Sequence, residues 1–321
     1  MRIILAPMEG VVDHTMRAML TQVGGIDRCV AEFVRVTQSK LPSRVFYRIC
    51  PELLPSEKNQ AGFTATGVPV YVQLLGSDCH FMALNAYKAA QLGAPGIDIN
   101  FGCPAKTVNR SDGGSVLLKE PERVHAIVAA VRNSVPQSIP VTAKIRLGFS
   151  DTSLFKKVVA AIVAAGANEL TINARTREDG YKPPAHWHEI SAVSKTSPIP
   201  IIANGEIWTV NDSERCREES GCNDIMLGRG ILACPDLAMQ VRNSRNSNIG
   251  STLKWEEVVK LLLHFHTNSW QLYDHKYMGN RLKQWLGYLR RHYAQAENLF
   301  EQVKRLKCPD AINDQLLLQQ Q

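Results

Sequence analysis

The segment from Val141 to Asn173 reads VTAKIRLGFSDTSLFKKVVAAIVAAGANELTIN and contains a strand, a helix and a second strand. Val141–Leu147 and Glu169–Asn173 are mostly apolar runs, as expected of strands buried on both faces of a parallel sheet. Leu154–Ala165 has the pattern of a helix, and Gly166 suits its C-terminal cap. This β-then-α unit is the repeat that predicts the fold.

The same unit recurs along the chain as far as residue 240 and gives eight strand candidates. They are Ile3–Pro7, Cys29–Val34, Val68–Leu75, Gly96–Asn100, Val141–Leu147, Glu169–Asn173, Ile199–Ala203 and Asp224–Leu227. Helical patterns between them include Phe81–Leu92, Pro121–Val135 and Val210–Ser220. Eight such units predict an α/β fold, the (β/α)8 TIM barrel. A doubly wound open sheet is the alternative, but it normally uses fewer strands.

The pattern changes after Met239, where strand candidates end. A linker is predicted at Asn243–Thr252. The helices predicted after it are Trp255–Tyr273, Asn280–Tyr293, Ala294–Leu306 and Pro309–Leu318. We therefore predict a TIM-barrel catalytic domain at residues 1–242 and a C-terminal all-helical domain at residues 250–321.

The net charge is concentrated in the predicted helical region. The 321 residues carry a formal net charge of +7. Residues 240–310 hold 12 Lys or Arg against 6 Asp or Glu, and the rest of the chain holds 25 against 24. A basic helical region of this kind indicates a polyanionic partner.

The composition argues against several classes of protein. The apolar stretch Val158–Ala167 is half the length that a bilayer span needs, and the N-terminus lacks the length of a signal peptide. The eight cysteines contain no Cys-x-x-Cys pair, which argues against a zinc site and a disulfide framework. We expect a cytoplasmic monomer with reduced thiols, no bound metal and no membrane contact.

Polar and glycine residues follow nearly every predicted strand, which is where a TIM barrel carries its reactive groups. The last two strands are followed by Asn204-Gly205-Glu206 and Gly228-Arg229-Gly230. Glycines let backbone N–H groups approach an anion closely, and Arg229 adds positive charge. These two segments therefore predict a phosphate site.

Cys103 lies between Gly102 and Pro104, directly after the fourth predicted strand. A thiol fixed there is a candidate acid or nucleophile, although most free cysteines are simply small buried residues. Lys144 and Arg146 are two residues apart on the fifth strand, so both side chains point to the same side. Because buried charges are costly without a partner, this pair favours an anionic ligand in the barrel mouth over structural salt bridges.

Taken together, these residues resemble the flavin-dependent tRNA-dihydrouridine synthases. The resemblance is carried by Ala6-Pro7-Met8-Glu9-Gly10, Asp98-Ile99-Asn100-Phe101-Gly102-Cys103-Pro104 with Gly114-Ser115, Lys144-Ile145-Arg146, Asn204-Gly205-Glu206-Ile207 and Gly228-Arg229-Gly230. Glu32–Val36, Arg48–Leu53 and Lys283–Arg290 are most similar to the bacterial C subfamily, which modifies uridine 16 in the D-loop. The resemblance covers essentially the whole chain.

The resemblance implies that the C5=C6 bond of uridine in tRNA is reduced to 5,6-dihydrouridine, with FMN supplying hydride and NADPH, or NADH, recharging the flavin. Cys103 would deliver the proton to C5 of the uracil. The residues that the resemblance assigns to cofactor binding are Pro7, Met8, Glu9, Gln73, Lys144, Asn173, Asn204, Gly205, Glu206, Gly228 and Arg229. Asn173 departs from the family, which usually has histidine there. An asparagine can still donate a hydrogen bond, but it cannot carry the positive charge of an imidazole.

RNA contacts are predicted on both parts of the chain. Asn100, Arg146 and Tyr181 would contact the uracil, and Arg35 would contact the RNA near the pocket. The predicted phosphate contacts on one helix are Arg281, Lys283, Arg290 and Arg291. In the simpler alternative, Trp285 and Leu289 form a core stripe on this helix and its charges are only solvated.

Two other functions stay open at this point. A flavin oxidoreductase of free pyrimidines would share the barrel and the phosphate site, but it has no use for a basic helical appendage. A non-catalytic RNA-binding protein on a barrel scaffold would lack the flavin. Flavin content and the effect of removing residues 250–321 separate the three hypotheses.

Overall fold

The computed structural model describes residues 1–54, 60–245, 252–269 and 277–319. The first half of the barrel comprises β1 (Ile3–Leu5), α1 (His14–Val23), β2 (Arg28–Val30), β3 (Val34–Arg35), α2 (Ser43–Ile49), β4 (Val70–Leu75), α3 (Cys79–Gln91), β5 (Ile97–Asn100), α4 (Lys106–Arg110) and α5 (Pro121–Ser134). The second half comprises β6 (Val141–Gly148), α6 (Phe155–Ala164), β7 (Glu169–Thr176), α7 (Trp187–Ser194), β8 (Ile201–Asn204), α8 (Val210–Ser220), β9 (Asp224–Leu227), α9 (Arg229–Ala233) and α10 (Leu237–Arg245).

The strands form one closed parallel sheet. Their order is β2-β1-β9-β8-β7-β6-β5-β4-β3, and β2 also pairs with β4, which closes the circle. In that closing pair Cys29 lies beside Val70. The TIM barrel predicted from the repeat is therefore confirmed, and the alternative of an open doubly wound sheet is wrong.

The predicted strand Cys29–Val34 consists of two separate strands. β2 pairs with the start of β4, and β3 pairs with its end. Between them, Glu32 and Phe33 line a cavity at the barrel mouth. The Gly10 N–H donates to Glu32 Oε1 at 2.5 Å. The interruption thus places two side chains on the cavity wall within the run predicted as one strand.

The interior of the barrel changes from apolar to polar along its axis. A small apolar cluster fills it beneath the mouth and consists of Ile4, Ala6, Val30, Ile202 and Met226. Outward-facing strand residues such as Ile97 and Ile99 belong to the larger core shared with the helices. Asp98 and Asn100 alternate with them and project into the barrel. Polar side chains are therefore concentrated at the carboxyl ends of the strands.

The regular elements in the described part of the C-terminal region are all helices. It comprises α11 (Trp255–Ser269), α12 (Met278–Leu289), α13 (Ala294–Val303) and α14 (Pro309–Leu318). Trp285 and Leu289 are buried in the same core as the barrel residues, as the core-stripe alternative predicted. Trp285 Nε1 donates to Leu232 O of α9 at 3.1 Å. The helices thus pack directly on the barrel.

Parts of the predicted linker and of the first C-terminal helix lie outside the described residues, namely 246–251 and 270–273. The division into domains at 1–242 and 250–321 concerns independent folding, and it stays a prediction.

Candidate active site

A cavity of about 810 Å³ opens at the carboxyl ends of the strands. Its size is typical of sites that hold small molecules and cofactors. The predicted cofactor-binding residues all line it: Pro7, Met8, Glu9, Gln73, Lys144, Asn173, Asn204, Gly205, Glu206, Gly228 and Arg229. Cys103 lines it as well, together with Asn100, Arg146, Tyr181 and Arg291. The fold therefore brings together residues that lie almost 300 positions apart in the sequence.

Two guanidinium groups pair with one carboxylate at one end of this cavity, and a third lies over the neighbouring tryptophan ring. Glu206 Oε2 accepts from Arg229 Nη2 at 3.1 Å and forms an ion pair with Arg175. Glu206 Oε1 accepts from Trp208 Nε1 at 2.9 Å. The Arg291 guanidinium carbon lies 4.2 Å from the centroid of the Trp208 ring. Because the cations outnumber the carboxylate, this end of the cavity is suited to an anion.

The backbone is closely packed at the same end of the cavity. A Cβ atom at Gly230 would lie 2.0 Å from Ile207 O, so a side chain there has no room. Glu206 itself has φ of 57°, which costs a residue other than glycine about 1 kcal/mol or more. Its ion pairs and the Trp208 hydrogen bond stabilise this conformation. A strained residue held in this way fixes the direction of its carboxylate.

Lys144 and two amides form the inner wall of the cavity. Burial lowers the pKa of Lys144 to about 8, and its ammonium donates to Asn204 Oδ1 at 3.2 Å. Asn173 Nδ2 donates to the same oxygen at 2.9 Å. Asn173 Oδ1 is buried and has no hydrogen-bond partner among the described residues. Since a buried acceptor without a donor is costly, this wall fits a ligand that donates to Asn173 and accepts from Lys144.

A chain of hydrogen bonds runs from the barrel interior to the Cys103 loop. Thr142 Oγ1 and Gln73 Nε2 donate to the Asp98 carboxylate at 2.5 and 2.7 Å. Asn100 Nδ2 donates to Gln73 Oε1 at 2.8 Å. Asn100 Oδ1 accepts from the Cys103 N–H and from the N–H before it, both at 2.9 Å. Asn100 therefore holds the backbone of this loop, and its contact with uracil stays a prediction.

Cys103 lies on the loop between β5 and α4, partly exposed to the cavity. Asn109 Nδ2 donates to the carbonyls of Cys103 and Gly113, each at 3.0 Å. Arg146 Nε donates to Gly102 O at 2.8 Å, which ties the loop to β6. Burial raises the pKa of the Cys103 thiol. The thiol is therefore protonated at neutral pH, which is the form a proton donor needs.

The chain matches a known protein family over almost its whole length. A family model described as dihydrouridine synthase (Dus) matches residues 4–320. The chain belongs to the dihydrouridine synthase family. This confirms the resemblance drawn from the motifs and identifies the protein as an enzyme.

Relatives of this dihydrouridine synthase cover nearly its whole length. A tRNA-dihydrouridine(16) synthase of Pseudomonas putida is 49% identical over 305 residues, which are 95% of this chain and 93% of the relative. Proteins of the same name from Aquipseudomonas alcaligenes and Vibrio cholerae are each 48% identical over 317 residues. These alignments cover 99% of both chains in the first case, and 98% of this chain and 95% of the relative in the second.

Solved structures with a similar fold are much more distant in sequence. Histamine dehydrogenase from Rhizobium sp. 4-9 has a TM-score of 0.55 and 12% identity, covering 83% of this chain and 48% of that one. A 2-naphthoyl-CoA reductase has a TM-score of 0.53 and 10% identity, covering 77% of this chain and 50% of that one. At these identities the likeness concerns the fold alone.

The helical region of this dihydrouridine synthase uses its predicted RNA-contacting residues in different ways. Arg281 Nη2 donates to Asp13 Oδ2 and to Val11 O, both at 2.8 Å, so it joins α12 to the barrel. Lys283 Nζ donates to Leu306 O at 2.5 Å. Arg290 and Arg291 are exposed. Contact with RNA stays a prediction for all four, and the two exposed arginines also have partners within the protein, Glu297 for Arg290 and Trp208 for Arg291.

Arg35 lies beside the Cys103 loop rather than in the main cavity. It is exposed, and its Nη2 donates to Thr107 O at 3.4 Å. It lines a second, smaller cleft with Ser77, Asp112 and Arg123. Its predicted contact with RNA near the pocket is compatible with this position and stays a prediction.

Two residues of the anion-binding end were missed by the sequence analysis. Arg175 stands in the motif after the sixth predicted strand, but it received no role, and it is buried against Glu206. Trp208 follows Glu206 by two residues, and nothing in the sequence around it distinguishes it from a tryptophan buried in the core. The signal available for Arg175 was a buried charge on a strand, the same signal that singled out Lys144 and Arg146.

Metal-binding clusters and membrane-spanning helices are both absent from the described part of the chain. Within residues 1–54, 60–245, 252–269 and 277–319, no group of three or more His, Cys, Asp or Glu is placed to hold a metal ion. In the same ranges, no helix is both long enough and apolar enough to cross a membrane.

Proposed function

We propose that this dihydrouridine synthase reduces the C5=C6 bond of a uridine in tRNA, at position 16 of the D-loop, to 5,6-dihydrouridine. FMN is the proposed cofactor, and NADPH, with NADH as the alternative, is the proposed reductant. The observation that carries the proposal is one cavity that combines a protonated thiol with an anion-binding end and an arginine from the basic helices. The name of the relatives, tRNA-dihydrouridine(16) synthase, supports the substrate and the position.

The residues of the cavity fit FMN. The phosphate would be held at the end with Arg229, Gly205 and Gly228, where cations are in excess. The ring system would lie against the inner wall, since a flavin offers acceptors to Lys144 and a donor to the unpartnered Asn173 Oδ1. The amide of Asn173 provides an acceptor at this point, where the family usually has histidine. When bound, FMN supplies hydride to the uracil.

Cys103 is the proposed source of the proton. Reduction of C5=C6 adds a hydride to one carbon and a proton to the other, and we assign the proton at C5 to the Cys103 thiol. Burial keeps the thiol protonated, and the Asn100 and Asn109 hydrogen bonds fix the backbone that carries it. The chain thereby contributes orientation and a proton, which are the tasks a protein performs in a cofactor-driven reaction.

The C-terminal helices are the proposed docking surface for tRNA. A uridine in a folded tRNA must leave its stack to enter the cavity, which costs a few kcal/mol. Contacts between basic side chains and RNA phosphates can offset this cost. Tyr288 and Arg291 bring this region to the cavity itself. Cys103 and residues of the helical region therefore line the same cavity that the base would enter.

The proposal is tested with purified full-length protein and an unmodified tRNA transcript. We expect the purified protein to contain bound flavin, with absorbance at about 450 nm. We also expect NADPH-dependent formation of dihydrouridine at position 16 of the tRNA. Faster reduction of free uridine than of tRNA would instead favour a free-pyrimidine oxidoreductase. Absence of flavin would favour a non-catalytic RNA-binding protein. Either outcome contradicts the proposed function.

The salt dependence of tRNA binding gives a separate prediction. If basic side chains contact phosphates, log Kd should rise linearly with log salt, by about 0.7 to 0.9 for each phosphate neutralised. Replacing the exposed Arg290 and Arg291 by glutamine should make this slope shallower by about one to two. The measurement is tRNA affinity between about 50 and 200 mM salt. A slope near zero in the unchanged protein would contradict phosphate contacts.

A further inference from the structure

Trp208 lies against two arginines that come from different parts of the chain. The guanidinium carbons of Arg229 and Arg291 are 5.1 and 4.2 Å from the centroid of its ring. Arg229 begins α9 in the barrel, whereas Arg291 follows α12 in the helical region. Both distances are within the range of cation–π attraction. One indole ring therefore connects the interior of the cavity to the surface that carries the basic helices.

The position of the indole is fixed from several directions. Its Nε1 donates to Glu206 at 2.9 Å, and Glu206 in turn accepts from Arg229. Its backbone N–H donates to Asp212 Oδ2 at 3.0 Å, in the first turn of α8. The ring is thus attached to the barrel framework and presents a defined surface to both arginines.

Two cations held this close repel one another. Burial lowers the pKa of Arg229, and the charges of Arg175 and Arg291 lower it further, while Glu206 opposes them. A charge cluster of this kind is stabilised when anions bind to it. Because Arg291 is exposed and Arg229 lies deeper in the cavity, two different anions can reach the pair.

A second aromatic ring, that of Tyr181, lies close to two arginines at the mouth of the cavity. The guanidinium carbons of Arg229 and Arg146 each lie 5.2 Å from the centroid of the Tyr181 ring. Arg146 also holds the Cys103 loop through Gly102 O. Arginines and aromatic rings therefore alternate from the helical region to the loop that carries the thiol.

We propose that Trp208 is a positioning residue that orients Arg229 toward the phosphate of the flavin nucleotide and Arg291 toward a phosphate of the RNA. The inference rests on the proposed function and adds to it a residue that serves both ligands. Trp208 needs no contact with either phosphate, because it acts through the two guanidinium groups. A purely structural tryptophan would stabilise the fold without distinguishing ligands that carry the phosphate from ligands that lack it.

The test is Trp208→Leu in the full chain, freed of flavin, with FMN and riboflavin as matched probes. Riboflavin lacks the phosphate and has the same ring. We expect affinity for FMN to fall about tenfold and affinity for riboflavin to change less than about twofold. A tenfold loss corresponds to about 1.4 kcal/mol, which lies within the range of cation–π contacts. Affinity for a tRNA transcript should also fall, with a salt slope shallower by about one.

Two further variants keep the test specific. Trp208→Phe retains a ring and should recover most of the FMN and tRNA affinity. Phe149→Leu is the matched control, since Arg177 lies 5.1 Å from the centroid of the Phe149 ring and neither residue lines the cavity. It should leave both affinities unchanged. Circular dichroism and thermal unfolding establish that each variant is folded.

The outcomes separate this inference from the proposed function. Equal losses of FMN and riboflavin affinity in Trp208→Leu, or an unchanged salt slope for tRNA, would overturn the positioning role. If Trp208→Leu does not fold, Trp208→Phe and Arg291→Gln decide the matter. Equal losses of FMN and riboflavin affinity in Trp208→Phe, or an unchanged salt slope in Arg291→Gln, would then overturn the positioning role. If the unchanged protein binds neither FMN nor tRNA, the proposed function itself fails.

Discussion

Cys103→Ala is expected to lower the rate of uridine reduction by about 10²- to 10⁴-fold, the usual contribution of a positioned general acid. Affinity for FMN and for tRNA should change little, because the thiol lines the cavity without joining the Asn100 and Asn109 hydrogen bonds, which use the backbone of residue 103. The measurement is single-turnover formation of dihydrouridine, started with reduced enzyme and excess tRNA. Unchanged turnover would remove Cys103 from the mechanism.

Cys103→Ser is the matched control, since it keeps the size of the side chain but holds its proton more tightly. We expect Cys103→Ser to reduce uridine at a rate between those of the unchanged protein and the alanine variant. The pH profile adds a second readout. Because burial raises the pKa of the thiol, the acid form persists to higher pH than in a free cysteine. The rate should therefore fall only as the pH rises through this raised value, and this fall should be absent from Cys103→Ala.

Arg17→Met is expected to have the largest effect on stability, lowering the free energy of unfolding by about 3 to 5 kcal/mol. Arg17 is fully buried, and its Nε and Nη2 donate to the two Glu52 oxygens, both at 2.8 Å. Further donations reach Val12 O at 3.0 Å and Ile49 O at 3.1 Å. Removing the guanidinium leaves a buried carboxylate without its cation. The measurement is equilibrium denaturation by urea.

The double variant Arg17→Met/Glu52→Met is the control for this prediction. It removes both charges together, so it should be more stable than Arg17→Met alone. A loss of less than about 1 kcal/mol in the single variant would contradict a structural role for the pair. The pair also holds the Arg48–Leu53 segment against α1, because Glu52 and Ile49 both accept from Arg17.

The stability that this pair contributes depends on pH. Burial alone would raise the pKa of Glu52, but the Arg17 guanidinium holds it below its ordinary value. The contribution is therefore present above the pKa that Glu52 has in the unfolded chain. It is lost as the pH falls through the lowered pKa of the folded state. Arg17→Met should accordingly flatten the acid side of the stability curve.

The fold was predictable from sequence because each β-then-α unit is a local pattern. An apolar run of about four to eight residues followed by an amphipathic run is recognised without knowing which strand pairs with which. The closing contact between β2 and β4 follows from the number of units. The break between β2 and β3 was missed because Cys29–Val34 has a continuous strand pattern, and only the cavity explains why Glu32 and Phe33 leave it.

The residues of the site were predicted by the motifs, but their partners were not. The motifs named Glu206 and Arg229, and the structure adds Arg175 and Trp208 as the groups that hold them. Likewise Asn100 was predicted as a uracil contact, and its oxygen is seen to hold the Cys103 loop. Partners of this kind come from other strands, so no local spacing reveals them.

By itself, the sequence determined the barrel, the basic helices and the set of residues at the strand ends, because these depend on local periodicity and composition. Only the tertiary structure decided which groups each of these residues contacts. It showed that Arg281 joins α12 to the barrel while Arg291 lies at the cavity, although both stand in the same basic stretch. The physical reason is that a charge acquires its role from the groups packed around it, and packing joins residues that the chain keeps far apart.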